Sequence, residues 1–208
     1  MRFISYCVEG QAGVGIKAGS AYRGWPASRL GGDLKSFLGQ AGGLARLAET
    51  LQEAPEFALS EVTLLPPIPR PGKILCVGLN YRAHSDEAGF EAPKYPAVFA
   101  RFASGLVAHG AALVRPAASN LLDYECELAV VIGSGGRHIS QADALGRIAG
   151  YSIFNDGSVR DFQMKSPQWT MGKAFDATGA FGPELVTGEE LPPGGRGLRI
   201  QTILNGAV

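Results

Sequence analysis

Apolar and polar positions alternate loosely over the first 28 residues, as in Arg2-Phe3-Ile4-Ser5-Tyr6-Cys7-Val8 and Val14-Gly15-Ile16, with glycines between. Successive side chains of a strand face opposite sides, so this rhythm predicts a small meander of two or three strands. Between positions 34 and 51 the rhythm changes, and Leu34, Phe37, Leu38, Leu44, Leu47 and Leu51 recur at helical intervals. Gly42-Gly43 falls inside that stretch, and glycine disfavours a helix interior by about 1 kcal/mol relative to alanine. Two short helices are the expectation.

Pro66, Pro67, Pro69 and Pro71 follow, each removing an amide donor and favouring an extended chain. This segment predicts a boundary between a small N-terminal domain, residues 1–66, and a main domain, residues 72–208. The main domain opens on Lys73-Ile74-Leu75-Cys76-Val77-Gly78, a short apolar strand. One or two helical turns over 81–88 and a proline-bearing loop over 92–96 lead to Val98-Phe99-Ala100-Arg101-Phe102. A strand over 124–132 carries an apolar run that predicts a buried sheet, and 150–156 makes another strand. Ser140, with Asp143 three residues on, caps a helix running to Arg147. A last strand is expected over 198–204, with an Asn205-Gly206 turn after it. Many strands with few helices place the chain in the α+β class, β-rich.

Composition narrows the function. The chain has 208 residues, enough to bury a sizeable core, and its 29 glycines and 13 prolines are scattered among turns. Nineteen basic residues balance nineteen acidic ones, so there is no electrostatic footprint for nucleic acid or an anionic membrane. No uncharged apolar stretch approaches the roughly 20 residues that span a bilayer. Cys7, Cys76 and Cys126 are far apart, with no Cys-x-x-Cys pair, as expected of unpaired thiols in a reducing compartment. The N-terminus lacks the long apolar core of a signal peptide. A cytoplasmic protein is the expectation.

Charge-based chemistry must then come from local clusters. In Asp123-Tyr124-Glu125-Cys126-Glu127, alternation puts Glu125 and Glu127 on one strand face, roughly 7 Å apart along it. Two such carboxylates next to an apolar run repel each other, and a hard divalent cation would relieve them. On spacing alone a solvated strand face is the commoner explanation. An apolar strand also ends at Asn155-Asp156-Gly157, where Asp156 is a candidate third ligand, although turn chemistry explains the same residues. In Gly78-Leu79-Asn80-Tyr81-Arg82-Ala83-His84-Ser85-Asp86-Glu87, His84 and Glu87 stand three apart and share a helical face. A carboxylate there can orient an imidazole as a general base, but a solvated helix surface is the commoner case. Lys173, flanked by glycine and aromatics in Gln168-Trp169-Thr170-Met171-Gly172-Lys173-Ala174-Phe175-Asp176, suits an anion or carbonyl contact, or is a surface lysine. His109 and His138 lie beside glycines and receive no role.

Together the four segments 78–87, 122–133, 150–163 and 168–176 resemble the fumarylacetoacetate hydrolase family, in its order and near its spacing. The resemblance implies a mixed β-roll or sandwich catalytic core beside the small N-terminal α+β domain. It implies a Mg²⁺-type ion, with Mn²⁺ or Ca²⁺ as substitutes, on Glu125, Glu127 and Asp156. It also implies a water-activating pair at His84 and Glu87, substrate contacts at Gln163 and Lys173, and a homodimer. Lys173 counts there among the catalytic residues. Many members carry lysine in a Phe-x-Lys element where this chain has Phe99-Ala100-Arg101; the guanidinium of Arg101 can still bind a carboxylate, though not as lysine would.

The implied activity is metal-dependent cleavage of a carbon–carbon bond in a small 2,4-dioxo acid of the acylpyruvate or fumarylacetoacetate type, through a stabilised enolate. Decarboxylation or isomerisation of related oxo-diacids in aromatic catabolism is the alternative, as is a truncated, non-catalytic metal- or ligand-binding subunit. Family members continue through a further strand-rich stretch with a Gly-Asp…Thr-Gly-Thr-Pro loop that closes the site. This sequence has no such loop, so a catalytic domain with its C-terminal part missing, and impaired turnover, are the expectations.

Overall fold

The computed structural model describes residues 1–81 and 94–208. His84 and Glu87 lie outside the described residues. The strands are β1 Arg2–Val8, β2 Gln11–Ala18, β3 Ala21–Pro26, β4 Glu56–Phe57, β5 Thr63–Leu65, β6 Ile74–Gly78 and β7 Ala97–Arg101. They continue as β8 Leu106–Ala108, β9 Leu122–Asp123, β10 Cys126–Ile132, β11 Ile148–Asp156, β12 Ser158–Val159 and β13 Gly179–Val186. Nine of them form one sheet in the order β10-β11-β13-β1-β2-β3-β4, with β5 also on β1 and β8 on β13. The pairs are antiparallel except β8 with β13, so the sheet is mixed. Two further ribbons, β6–β7 and β9–β12, complete the β structure. The expected β-rich α+β class is what the chain adopts.

The N-terminal meander is β1 to β3, and two short helices follow where the leucines recur. Asp33 caps the first, Leu34–Phe37, by accepting from the Ser36 amide, and the second, Gly43–Gln52, begins after Gly42 in the left-handed region at φ 66°. Leu47, Ala48 and Leu51 on the longer helix pack with Phe3, Val14, Ile16 and Leu34 into a core that also takes in Phe154, Phe181 and Leu185. Phe3 and Ile4 are both fully buried although they face opposite sides of β1, because a second cluster with Tyr6 and Tyr22 covers the other side. Burial on both faces is why the alternation is only loose in β1, with apolar Phe3 and Ile4 side by side.

Strands from either side of the proline segment therefore share a sheet and a core. Phe3 lies opposite Leu185, and the Ser5 hydroxyl donates to the Pro67 carbonyl at 2.8 Å. Three expectations need correction. The 124–132 strand is broken: Leu122–Asp123 pairs with β12 and Cys126–Ile132 with β11. Its apolar run is covered on one face only: Ala129 and Val131 pack against the core, while Val130 and Ile132, on what is the outermost strand of the sheet among the described residues, are about half exposed. Residues 198–204 form no strand, only an isolated Leu204–Ala207 bridge, for no described strand runs alongside to accept a ladder of hydrogen bonds. Among the described residues no helix is long and apolar enough to cross a membrane.

Candidate metal centre

The β10–β11 register sets the geometry. Cys126 lies opposite Asn155 and Glu127 opposite Phe154, and one step further the Asp156 amide donates to the Glu125 carbonyl at 2.8 Å. Residues facing each other across an antiparallel pair project to the same side, and each strand repeats that side every two residues. Glu125, Glu127 and Asp156 therefore converge. One ligand oxygen from each lies within 4.8 Å of the others, with Asp156 buried and the two glutamates half-buried. Asn155 points the other way and accepts from the Glu125 amide at 3.0 Å, which pins the irregular stretch between β9 and β10.

Among the described residues, three basic ones surround these carboxylates. Lys173, on the short helix Thr170–Lys173 and only 2% exposed, sends Nζ to Glu125 Oε2 and Asp156 Oδ2, at 2.7 Å each. Arg101, at the end of β7, donates from Nη1 to Asp156 Oδ1 at 2.5 Å and to the Gly157 carbonyl at 3.1 Å, and from Nη2 to Thr178 Oγ1 at 2.9 Å. Its Nε is buried with no hydrogen-bond partner among the described residues. Arg160 donates to Asp123 Oδ2 at 2.9 Å, to Glu125 Oε1 at 2.5 Å and to Gln163 Oε1 at 3.0 Å.

The electrostatics split the two glutamates. Burial pushes the Glu125 carboxyl up, but the charges and hydrogen bonds of Lys173 and Arg160 outweigh it and hold it below the usual range. For Glu127, burial and then the negative charges of Asp156 and Glu125 push the carboxyl up to about 7. Cys76, buried nearby on β6, is pushed up to about 12 by burial first and by Asp156 and Glu127 next, so its thiol stays protonated and inert.

Glu125, Glu127, Asp156, Lys173, Gln163 and Arg101 thus meet in one place. Arg101 serves there as counter-ion to Asp156, with both Nη atoms committed. Asp123, Arg160 and Thr178 also belong to the site and were not singled out from sequence. Arg160 had a signal, three residues before Gln163 on a helical turn and four after Asp156; Thr178 had none. A separate cavity of about 430 Å³, lined by Trp25, Arg29, Leu30, Glu49, Thr50 and Glu53, contains none of these groups.

Three carboxylates and no sulfur or imidazole among the described ligands make an oxygen-only donor set, which suits a hard divalent ion such as Mg²⁺, Mn²⁺ or Ca²⁺. The residues present fit such an ion: Asp156 is out of solvent, and among the described residues no side chain donates a hydrogen bond to Glu127.

A β-rich fold that gathers three carboxylates at the ends of adjacent strands, ringed by lysine and arginine, defines the class. The profile of the fumarylacetoacetate (FAA) hydrolase C-terminal family matches residues 73–208, and the chain belongs to that family. It is 44% identical over 137 residues to the human mitochondrial oxaloacetate tautomerase FAHD2A, an overlap of 65% of this chain and 44% of that relative. Among solved structures it resembles the fumarylacetoacetate hydrolase of the psychrophile Exiguobacterium antarcticum, with TM-score 0.74 and 30% identity over 93% of this chain and 69% of that one. The maleylpyruvate hydrolase of Sphingobium sp. SYK-6, solved with manganese(II) and pyruvate, shares the fold at TM-score 0.72 and 24% identity, covering 91% of this chain and 68% of that one. The chain spans 44 to 50% of the length of the human and rat tautomerases it matches.

Proposed function

We propose that this chain carries the metal site of an enzyme that cleaves a carbon–carbon bond in a small 2,4-dioxo acid. The observation that supports this reading most is the convergence of Glu125, Glu127 and Asp156 within 4.8 Å beside a buried lysine. Mg²⁺ or Mn²⁺ held there would supply Lewis acidity for a carboxylate and its neighbouring keto oxygen. Gln163 has its Oε1 held by Arg160, so its amide N–H groups are left to donate to a ligand oxygen. Lys173 supplies a second donor, and donors placed where negative charge develops favour an enolate-like transition state. Arg101 acts through Asp156, holding that carboxylate in place. His84, oriented by Glu87, is the proposed base for water.

A second reading, enolisation without bond cleavage, is favoured by the oxaloacetate tautomerase name of the human relative. Both readings need the same donors, and they part on whether water attacks. The substrate in either case is a small oxo acid, the assembly a homodimer, and the compartment a reducing, cytoplasmic one, a setting the three free thiols support.

The test is Glu127→Gln. Since no described side chain hydrogen-bonds Glu127, the substitution should leave the melting temperature of the metal-free protein intact or raise it, while Mn²⁺ affinity and metal-dependent turnover of an acylpyruvate fall at least 100-fold. Unchanged Mn²⁺ binding would refute the site. Turnover of oxaloacetate enol with no cleavage of acylpyruvate would select the second reading.

A further inference from the structure

Every carboxylate oxygen of Glu125 and Asp156 already has a cation on it. Arg160 Nη1 takes Glu125 Oε1 and Arg101 Nη1 takes Asp156 Oδ1, both at 2.5 Å, and Lys173 Nζ takes the two remaining oxygens at 2.7 Å each. These are two of the three carboxylates assigned above to a divalent ion, so the inference rests on that reading. An ion of the Mg²⁺ type bonds oxygen at about 2.0–2.1 Å. If it shared both oxygens with the ammonium as now placed, two like charges would sit within roughly 5 Å of each other in a site largely cut off from water. One of the three cations must yield.

The arginines are tied elsewhere. Arg101 is also bonded to the Gly157 carbonyl and Thr178, and Arg160 to Asp123 and Gln163. Lys173 Nζ has no oxygen partner among the described residues beyond Glu125 and the side chain and carbonyl of Asp156, the last at 3.5 Å. It is also a compact charge on a rotatable stem, where a guanidinium is a rigid fork. Glu127, with no cation hydrogen-bonded to it among the described residues, is the open contact for an arriving ion.

We propose that Lys173 is the built-in occupant of the metal site: its ammonium holds Glu125 and Asp156 together in the metal-free protein and competes with the divalent ion for them. The ion must displace it, and only then is the ammonium free for a substrate oxygen. Metal loading and the availability of Lys173 are therefore one event.

The experiment titrates Mn²⁺ into the chelator-treated full chain by calorimetry, for the wild type, Lys173→Met and Lys173→Arg. Lys173→Met should bind Mn²⁺ at least tenfold more tightly than the wild type, and its melting temperature should rise further on metal addition. Lys173→Arg, which keeps a cation on the carboxylates, should gain less than half of that on a logarithmic scale. Equal or weaker Mn²⁺ binding by folded Lys173→Met overturns the proposal while leaving the metal site standing. Absence of Mn²⁺ binding by the wild type overturns both. Should Lys173→Met not fold, crystal structures of the wild type with and without Mn²⁺ decide: the Nζ–Glu125 Oε2 contact opens beyond hydrogen-bonding distance on loading, and its persistence with the ion bound refutes the competition.

Discussion

Arg101 Nη1 lies 2.5 Å from Asp156 Oδ1, and the two side chains are 0% and 1% exposed. The pair joins the ribbon β6–β7 to the end of β11, and so ties a piece of the fold outside the main sheet to the carboxylate cluster. Removing one member of a buried pair leaves the other charge without compensation, at a typical cost of about 3–5 kcal/mol. Arg101→Met should therefore lower unfolding free energy in urea by about that amount. Added Mn²⁺ should recover part of the loss, since a divalent ion replaces the missing counter-charge on Asp156. A loss below 1 kcal/mol would mean that the pair is solvated.

Glu127 makes the metal-free protein sensitive to pH. Its carboxyl is raised from 4.5 to about 7, by burial foremost and then by its acidic neighbours. Between those two values the native state binds more protons than the unfolded state, so stability falls as pH rises. The protonated form's contribution is fully present below 4.5 and is lost once pH has passed about 7. Denaturation of chelator-treated protein from pH 4.5 to 8 should show this decline, and Glu127→Gln should flatten it. Mn²⁺ affinity should run oppositely, weakening as pH drops below 7, because the ligand must first lose its proton.

Gly172 sets the spacing between the helices that carry Gln163 and Lys173. A Cβ built on it would lie 2.5 Å from Gln163 Cα and 2.6 Å from its Cβ, so the helices must part. Gly172→Ala should cost about 1–3 kcal/mol of stability, as overpacking does, and should raise the Kd for pyruvate by displacing Lys173 and Gln163. Gly146→Ala, where nothing lies within 4 Å, is the control and should change stability by less than about 0.5 kcal/mol.

Two local rules made the three carboxylates legible as candidates, and only the resemblance of four segments to the family joined them into one site. Period-two alternation put Glu125 and Glu127 on one face, and an ionisable group at the end of an apolar strand marked Asp156. The broken strand at 124–125 was not legible, since the switch from β12 to β11 as partner depends on residues 29 to 35 positions away, Asn155 opposite Cys126 and Ser158 opposite Asp123. The half-exposed β10 was misread for a similar reason: an apolar run looks alike in a central strand and in an outermost one.

Alternation, helical spacing and capping act over a few residues, and the sequence by itself determined everything that depends on them: the meander, the split helices, the Ser140 cap and the pairing of acidic residues along β10. Only the tertiary structure decided that β1 would lie against β13 across the proline segment, that Arg101 would sit beneath Asp156, and that Lys173 would lie between Glu125 and Asp156. Those contacts join residues 17 to more than 180 positions apart, and their partners are chosen by sheet register and by the need to neutralise buried charge. No short window of sequence contains either constraint.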